Sequence, residues 1–433
     1  MTTENRRSFI KKASLIPAAS LISPAVLGAN DRINLALIGG QNRGWQVIQE
    51  ALKCGANVKT FCDIDESIQK KIGYEIGRKQ DKAPALCNRY EDVLSDKDID
   101  AVVIATPDHW HARQTIHACQ AGKDVYIEKP LSKTIEEGQL MRKAARKHNR
   151  IVQVGLQRRS TQYCDTAAEY VAAGKLGKLC EIKAWMCQVR GSIGNPADEA
   201  VPKGVDYDRW LGCAPKRPFN PMRFHYNWRF FWDYCNSEQG NQGVHMLDVC
   251  MKTIQKMRGL DNCLPTHVSN NSGIYWLDDM KEVPDTQVAT YDFSDFMLVW
   301  ELRSYAKHRP IEGSTAGIGF YGSDASLIIN FSKKNWTVFK KDGTQETSET
   351  DKTGGETFLH MGNFLDCIKT RKQPHADIEL GRLSTTICHL GNISHHLGRD
   401  IHFDPKTETF GDDQKANALL TKDYREPYGL PTV

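Results

Sequence analysis

Arg32-Ile33-Asn34-Leu35-Ala36-Leu37-Ile38-Gly39-Gly40-Gln41-Asn42-Arg43-Gly44 is the stretch that decides the fold. Its first seven residues read as an apolar strand, and the glycine turn follows at once. From Trp45 to Cys54 the apolar residues Trp45, Ile48 and Leu52 recur at helical spacing, with Gly55 placed to end the helix. Asn57 to Asp63 reads as a second strand, closing in Cys62-Asp63-Ile64-Asp65. Strand, glycine turn, helix, strand and acid, in that order, form a dinucleotide-binding βαβ unit. The glycines permit a tight turn and close approach of backbone to a pyrophosphate, which the helix N-terminus then faces. In a G-x-G-x-x-G alignment the second glycine position holds Gln41, with Gly40 beside it, so the backbone approach is expected to differ there. Asp63, 24 residues after Gly39, is placed to accept hydrogen bonds from the adenosine ribose, and an acid there favours NAD over NADP.

The alternation continues downstream. Asp100 to Ala105 reads as a strand ending in Thr106-Pro107-Asp108-His109-Trp110-His111, followed by an amphipathic helix to Gly122. Asp124-Val125-Tyr126-Ile127-Glu128-Lys129-Pro130 is a short apolar strand that stops in an acid, a base and a proline. A strand delivering Glu128 and Lys129 to its carboxyl end is the geometry of a ligand crevice in an open α/β sheet. Pro130 restricts Lys129 to an extended backbone and admits a cis bond. A charged helix from Thr134, with Glu137 at the capping-box position, and a strand from Ile151 to Val154 complete the unit. Beyond residue 157 a long strand (178–190), an irregular aromatic-rich segment (191–240), a helix (243–258), hairpin-like strands (266–304 and 316–340) and two closing helices follow. Strands grouped before helices predict an α+β second domain on a largely antiparallel sheet. The expected divisions are 1–29 targeting, 30–157 doubly wound parallel sheet, and 158–433 second domain.

A net charge of +4 on 433 residues, without a long basic block, gives no signal for nucleic acid or a membrane surface. Thirteen cysteines are scattered singly, with no Cys-x-x-Cys and no zinc spacing, so neither a disulfide framework nor a metal is indicated. Asn5-Arg6-Arg7-Ser8-Phe9-Ile10-Lys11 followed by a modest apolar run to Ala29 matches a twin-arginine signal, which predicts a periplasmic protein. The run is too short and too broken by Pro17 and Pro24 for a transmembrane anchor. Export of an already folded chain reconciles reduced cysteines with a periplasmic address and points to a bound cofactor.

The chain resembles the Gfo/Idh/MocA oxidoreductases. The likeness runs through the glycine turn at 39–44, Asp63, Ala105-Thr106-Pro107-Asp108-His109-Trp110-His111-Ala112, Glu128-Lys129-Pro130 and Val154-Gly155-Leu156-Gln157-Arg158-Arg159. It ends in Gly240-Asn241-Gln242-Gly243-Val244-His245-Met246-Leu247-Asp248 and the closing helices. The resemblance implies a nicotinamide cofactor over the first sheet and a sugar-like substrate over the second. It also implies a cis bond before Pro130, Lys129 at the nicotinamide ribose and the reacting hydroxyl, and His245 as acid/base. The family often carries an aspartate where this chain has Asn241, so a proton relay is expected to run through Lys129 and His245 alone. Pairing of subunits through the second sheet is implied as well.

Oxidising a secondary alcohol requires loss of the hydroxyl proton while hydride leaves the same carbon. A lysine beside a cationic nicotinamide has its pKa pushed down and becomes a better acceptor near neutrality, with Glu128 expected to fix it. Asp248, one turn beyond His245, is its expected companion. His109 and His111 are expected to pack around the nicotinamide rather than bind a metal, and Gln157 and Arg158 to reach cofactor or substrate hydroxyls. Tyr226-Asn227-Trp228-Arg229-Phe230-Phe231-Trp232-Asp233-Tyr234 is the candidate source of aromatic faces for a sugar, with Trp228 as the substrate-binding candidate among them. The expected cofactor set is thus Gly39, Gly40, Gln41, Asn42, Arg43, Gly44, Asp63, Thr106, Pro107, His109, His111, Glu128, Lys129 and Gln157. The expected substrate set is Lys129, Arg158, Asn241, His245 and Trp228. These features predict an NAD-dependent oxidoreductase for a sugar or glycoside hydroxyl, with a tightly bound, recycled cofactor and 3-keto sugars as products. The alternatives are an NAD-dependent glycosidase working by transient oxidation and elimination, and a non-catalytic sugar-binding protein.

Overall fold

The computed structural model describes residues 32–306, 308 and 311–433, so the expected targeting segment lies outside the described residues. The first sheet is built from β1 (Asn34–Ile38), β2 (Asn57–Cys62), β3 (Ala85–Cys87), β4 (Ala101–Ile104), β5 (Asp124–Ile127) and β6 (Val152–Val154). Helices α1 (Arg43–Lys53), α2 (Glu66–Gly77), α3 (Tyr90–Ser95), α4 (Asp108–Gln120) and α5 (Ile135–Lys147) alternate with these strands. All pairings are parallel, in the order β3-β2-β1-β4-β5-β6. The order reverses between β1 and β4, so the crevice of this doubly wound sheet opens at their carboxyl ends. β4 and β5 are buried at every residue and β1 at all but its first, which is why they read as continuous apolar runs rather than alternating ones. Thr134 caps α5 as expected, accepting from Glu137 N at 3.2 Å. Glu137 departs from the capping-box pattern: its buried carboxylate takes Lys133 N (2.8 Å) and Tyr424 OH (3.1 Å) instead.

α6 (Gln162–Ala172) leads to the second sheet, formed by β7 (Leu179–Cys187), β8 (His267–Gly273), β9 (Thr286–Asp292), β10 (Met297–Arg303), β11 (Ala316–Gly322), β12 (Ala325–Asn330), β13 (Asn335–Lys340) and β14 (Gln345–Thr347). The short β15 (Ile401–His402) completes the order β14-β13-β12-β11-β7-β10-β9-β8-β15. Every pairing is antiparallel except the central β7–β10 pair, which is parallel because the whole of 188–296 intervenes. The β9–β10 and β13–β14 hairpin turns carry positive-φ residues, Ser294 at φ 71° and Gly343 at φ 83°.

One short helix of the aromatic segment, α7 (Tyr207–Leu211), is followed by α8 (Val244–Arg258) and the closing helices α9 (Glu356–Thr370) and α10 (Ile378–Leu397), which tie the sheets together. Val244, Leu247, Met251 and Ile254 of α8 enter one apolar core with Leu298, Ile318 and Phe320 of the second sheet. α9, although it follows the second sheet in sequence, packs on the first: Met361, Phe364 and Leu365 share a core with Leu35, Ile48 and Tyr126. Burial of each such side chain contributes about 1.5–3 kcal/mol, so α9 fastens the two parts firmly.

The aromatic segment has a core of its own, with Tyr207, Trp210, Phe219, Phe224, Phe231 and Tyr234 packed together. It is strapped to the end of β2 by Glu66 N donating to Gly204 O and Asp206 N donating to Ile64 O, both at 3.0 Å. His225 Nε2 lies 3.0 Å from Asp65 Oδ2 at the start of α2. The segment therefore roofs the crevice of the first sheet.

Candidate active site

The roofed crevice has a volume of about 920 Å³ including its open mouth. Its floor is the carboxyl ends of β1, β2 and β4, from Gly39 to Arg43, Cys62 to Ile64, and Ala105 to Pro107. Gly39 sits at φ 84°, in the region glycine tolerates best, and donates to Cys62 O at 2.9 Å. At Gly44 a Cβ would lie 2.0 Å from Gly39 O, and at Gly40 it would lie 2.3 Å from the Phe61 ring. The backbone does differ around Gln41: Asn42, not a glycine, takes the positive φ of 46° there, with ψ −93°. Asn42 makes no side-chain cap to α1, and no acid occupies its first turn. First-turn N–H groups facing the crevice suit a pyrophosphate.

Asp63 lines the crevice and accepts from Gly40 N (2.9 Å) and Asp65 N (3.2 Å). Burial raises its pKa to about 6 against these hydrogen bonds, so it is a carboxylate at neutral pH and can accept from ribose hydroxyls. The glycine cradle, the uncapped helix and this acid fit a dinucleotide. Thr106 and Pro107 line the same crevice, Thr106 Oγ1 donating to Gln114 Oε1 at 2.7 Å.

Beyond this floor the expectations need correction at several residues. His109 and His111 are buried behind the crevice rather than in it. His109 Nε2 lies 3.1 Å from Trp210 O, and burial holds that ring at a pKa of about 3. His111 lies between Thr106 O (2.9 Å) and Pro130 O (2.8 Å), bracing two loops. Gln157 is also buried, donating to Tyr126 OH at 3.0 Å. Glu128 does not hold the lysine ammonium: its Oε1 pairs with Arg43 Nε at 2.8 Å, and its Oε2 takes only the backbone N–H of Lys129 at 3.2 Å. Asp248 is no companion of His245, because its Oδ1 accepts from Arg159 Nε and Ser384 Oγ, both at 2.7 Å. Arg158 lies over the Phe331 ring at 3.5 Å and turns to Met246 Sδ, so it reaches neither crevice nor lysine.

Lys129 stands at the end of β5, before a cis bond to Pro130. Its Nζ donates to Asn241 O at 2.7 Å and Asn241 Oδ1 at 2.9 Å. That main-chain oxygen lies within a π-helical turn, Gln239–Gly243, which opens the ladder ahead of α8. The turn is anchored from below by Gln239, which accepts from Gln287 Nε2 (2.8 Å) and donates to Tyr291 OH. Burial lowers the Lys129 pKa to about 8, with Arg229 and Arg43 pushing the same way and Glu128 and Asp108 opposing. His245, on the first turn of α8, has no hydrogen-bond partner among the described residues. Burial, then the charges of Lys129, Arg158 and Arg43, hold it well below its ordinary pKa and so neutral.

The roof supplies residues that sequence reasoning missed, Arg209, Trp210, His225 and Arg229, together with Tyr226 and Trp228 from the expected aromatic stretch. Arg229 stacks on Tyr226 at 3.9 Å and approaches Asn241 Oδ1 at 3.4 Å, so the Lys129 group adjoins this end of the crevice. Phe230, Phe231 and Tyr234, in contrast, are buried in the roof's own core.

Residues 33–156 match the family model described as "Oxidoreductase family, NAD-binding Rossmann fold" and residues 183–430 match "Oxidoreductase family, C-terminal alpha/beta domain". The chain belongs to the Gfo/Idh/MocA oxidoreductase family and carries its NAD-binding domain. A glycosyl hydrolase family 109 protein of Shewanella sp. (strain W3-18-1) is 30% identical over 122 residues, 27% of this chain and 26% of that protein. The chain thus spans about a quarter of the length of this relative. An α-N-acetylgalactosaminidase of Shewanella oneidensis is 26% identical over 31% of this chain and 35% of its own length. Among solved structures, a levoglucosan dehydrogenase in complex with NADH and levoglucosan superposes with a TM-score of 0.67 at 18% identity, over 86% of this chain and 99% of the other. An aldose-aldose oxidoreductase from Caulobacter crescentus gives 0.66 at 16%, over 86% and 100%.

Proposed function

We propose that the protein oxidises a secondary hydroxyl of a sugar or glycoside, with Lys129 taking the hydroxyl proton. The observation that carries this reading is Lys129 itself, an amine lowered to about 8 by burial and held on two oxygens of one residue beside a neutral histidine. A base with a pKa near the working pH transfers protons most effectively. Gly39 to Gly44 and Asp63 would hold NAD, which when bound would supply the two-electron acceptor for the hydrogen on carbon. Lys129 receives the hydroxyl proton as its neutral amine, and the resulting ammonium settles on Asn241 O and Oδ1, which already face it. Neutral His245, without a hydrogen-bond partner among the described residues, orients a second hydroxyl of the substrate and passes the proton outward. Asn241, an amide, accepts hydrogen bonds without exchanging protons. The sugar-acting names of the relatives and neighbours support the substrate class.

A second reading is favoured by the glycosidase relatives: transient oxidation acidifies the neighbouring C–H and lets the aglycone leave, the cofactor ending unchanged. Incubating the purified protein with aryl glycosides separates the two. A product two hydrogens lighter supports net oxidation; free aglycone without net oxidation supports the glycosidase; neither product from a protein loaded with NAD contradicts both. Twin-arginine export to the periplasm and subunit pairing through the second sheet remain part of the proposal, and fractionation and light scattering test them. Among the described residues no helix is long and apolar enough to cross a membrane.

A further inference from the structure

One buried acid beside the lysine has no place in that mechanism. Glu238 is 2% exposed and lies one residue before the π turn. Its Oε2 accepts from three donors: Gln188 Nε2 at 3.1 Å, Arg190 Nη2 at 3.2 Å and Asn241 Nδ2 at 3.2 Å. Arg190 Nε adds a 2.9 Å contact to Oε1. The other end of the Asn241 amide, Oδ1, faces two cations, Lys129 Nζ at 2.9 Å and Arg229 Nη1 at 3.4 Å. Only one orientation of that amide is compatible with these neighbours. Reversed, it would set its oxygen against a carboxylate and its N–H groups against an ammonium and a guanidinium.

We propose that Glu238 is a positioning residue: held by Arg190, it locks the Asn241 amide with its oxygen towards Lys129 and so sets the lysine's charge balance. The inference deepens the reading of Lys129 as the base and rests on it. The acid absent from position 241 is supplied one turn earlier, where it neutralises Arg190 and touches Lys129 only through an amide. An acid in direct contact would hold the lysine protonated; an acid behind an amide orients it while leaving the proton mobile.

The charged and titratable groups around this unit come from every side. Arg190 follows β7, Arg229 and Tyr226 belong to the roof, Glu128 and Arg43 flank the end of β5, Asp108 opens α4, and His245 opens α8. Of these, Arg190 alone pairs with Glu238 as an ion. Glu238→Gln leaves Arg190 as an unpaired cation and frees the amide to turn, and both effects favour the neutral lysine. Arg190→Gln leaves Glu238 as an unpaired anion, which favours the ammonium. The two variants therefore act in opposite directions.

The test needs no substrate. The full-length protein is acetylated with acetic anhydride across a pH series, and modification of Lys129 is followed by peptide mass spectrometry. The expected result is a midpoint that falls by about one pH unit in Glu238→Gln, rises by about one unit in Arg190→Gln, and in the double variant, where the charge balances but the amide is still unlocked, lies below the starting value and above that of Glu238→Gln; one unit is tenfold in the protonation ratio. Midpoints that stay fixed, or that move in the same direction, while melting temperatures fall, reduce Glu238 to a structural residue and overturn the proposal. If Glu238→Gln does not fold, Arg190→Gln and the charge-neutral double variant decide the sign alone. A protein that shows the opposed shifts yet turns over no sugar sinks the oxidoreductase reading and leaves the Glu238 assignment standing.

Discussion

Lowering the pH from 9 to 6 should switch the reaction off through one group. With its pKa lowered to about 8, Lys129 is neutral in about one molecule in ten at pH 7. An ordinary lysine at about 10.4 is neutral in roughly four per ten thousand, so burial raises the supply of base about 250-fold. The sign follows from the direction of the shift: the active form is the deprotonated one, so the rate climbs with pH until about 8 and then levels. The assay is single-turnover reduction of the bound cofactor, followed at 340 nm, as kcat/KM against pH, which reports the free enzyme. Below the midpoint the rate should fall about tenfold per pH unit, and Lys129→Ala should lose 10²–10⁴-fold and with it the limb. A flat profile from pH 6 to 9, a limb near 10, or an unchanged limb in Lys129→Ala refutes the assignment of the base.

Other perturbations reach different parts of the account. Asp248→Ala strips the partner from Arg159, a guanidinium only 4% exposed, and should destabilise the protein by about 3–5 kcal/mol in urea unfolding. Gly40→Ala puts a methyl 2.3 Å from the buried Phe61 ring; a thermal shift should register a loss of about 1–3 kcal/mol, with NAD affinity falling in parallel. Asp63→Asn removes the charge that repels a 2′-phosphate, so calorimetry should show the preference for NAD over NADP shrinking by about tenfold, or about 1.4 kcal/mol. In the wild type, NAD affinity should weaken as pH falls through about 6, where Asp63 takes up its proton.

What could be read from the chain was what local pattern encodes. The β1 run, the glycine turn, the α1 spacing and Asp63 lie within 32 residues and obey fixed periods, so the parallel sheet and its crevice followed from them. Glu128-Lys129-Pro130 was legible for the same reason, a strand broken by charges and a proline. The partners of those charges were not. Arg43 reaches Glu128 across 85 positions and Arg159 reaches Asp248 across 89, pairings that the fold creates and no spacing announces. The histidines after Pro107 misled because α4 turns them inward, His109 against Trp210 and His111 between two loop carbonyls. The roof was hardest to place: residues 204–229 carry only short helical turns without a sustained period, and their role depends on backbone bonds to Ile64 and Glu66. The π turn left one sign that could have been used, two glycines bracketing Asn241 and Gln242 at the head of an otherwise regular helix.

The central claim is that this chain removes hydrogen from a sugar carbon at Lys129 with NAD held in the first crevice. The most direct measurement supplies a substrate deuterated at each ring carbon in turn to the NAD-loaded protein and records the cofactor by mass spectrometry. The account predicts that deuterium from one ring position appears on the nicotinamide, in the wild type and not in Lys129→Ala. Sugar or glycoside turnover with no deuterium on the cofactor from any position, or equal transfer in the Lys129→Ala variant, would contradict it.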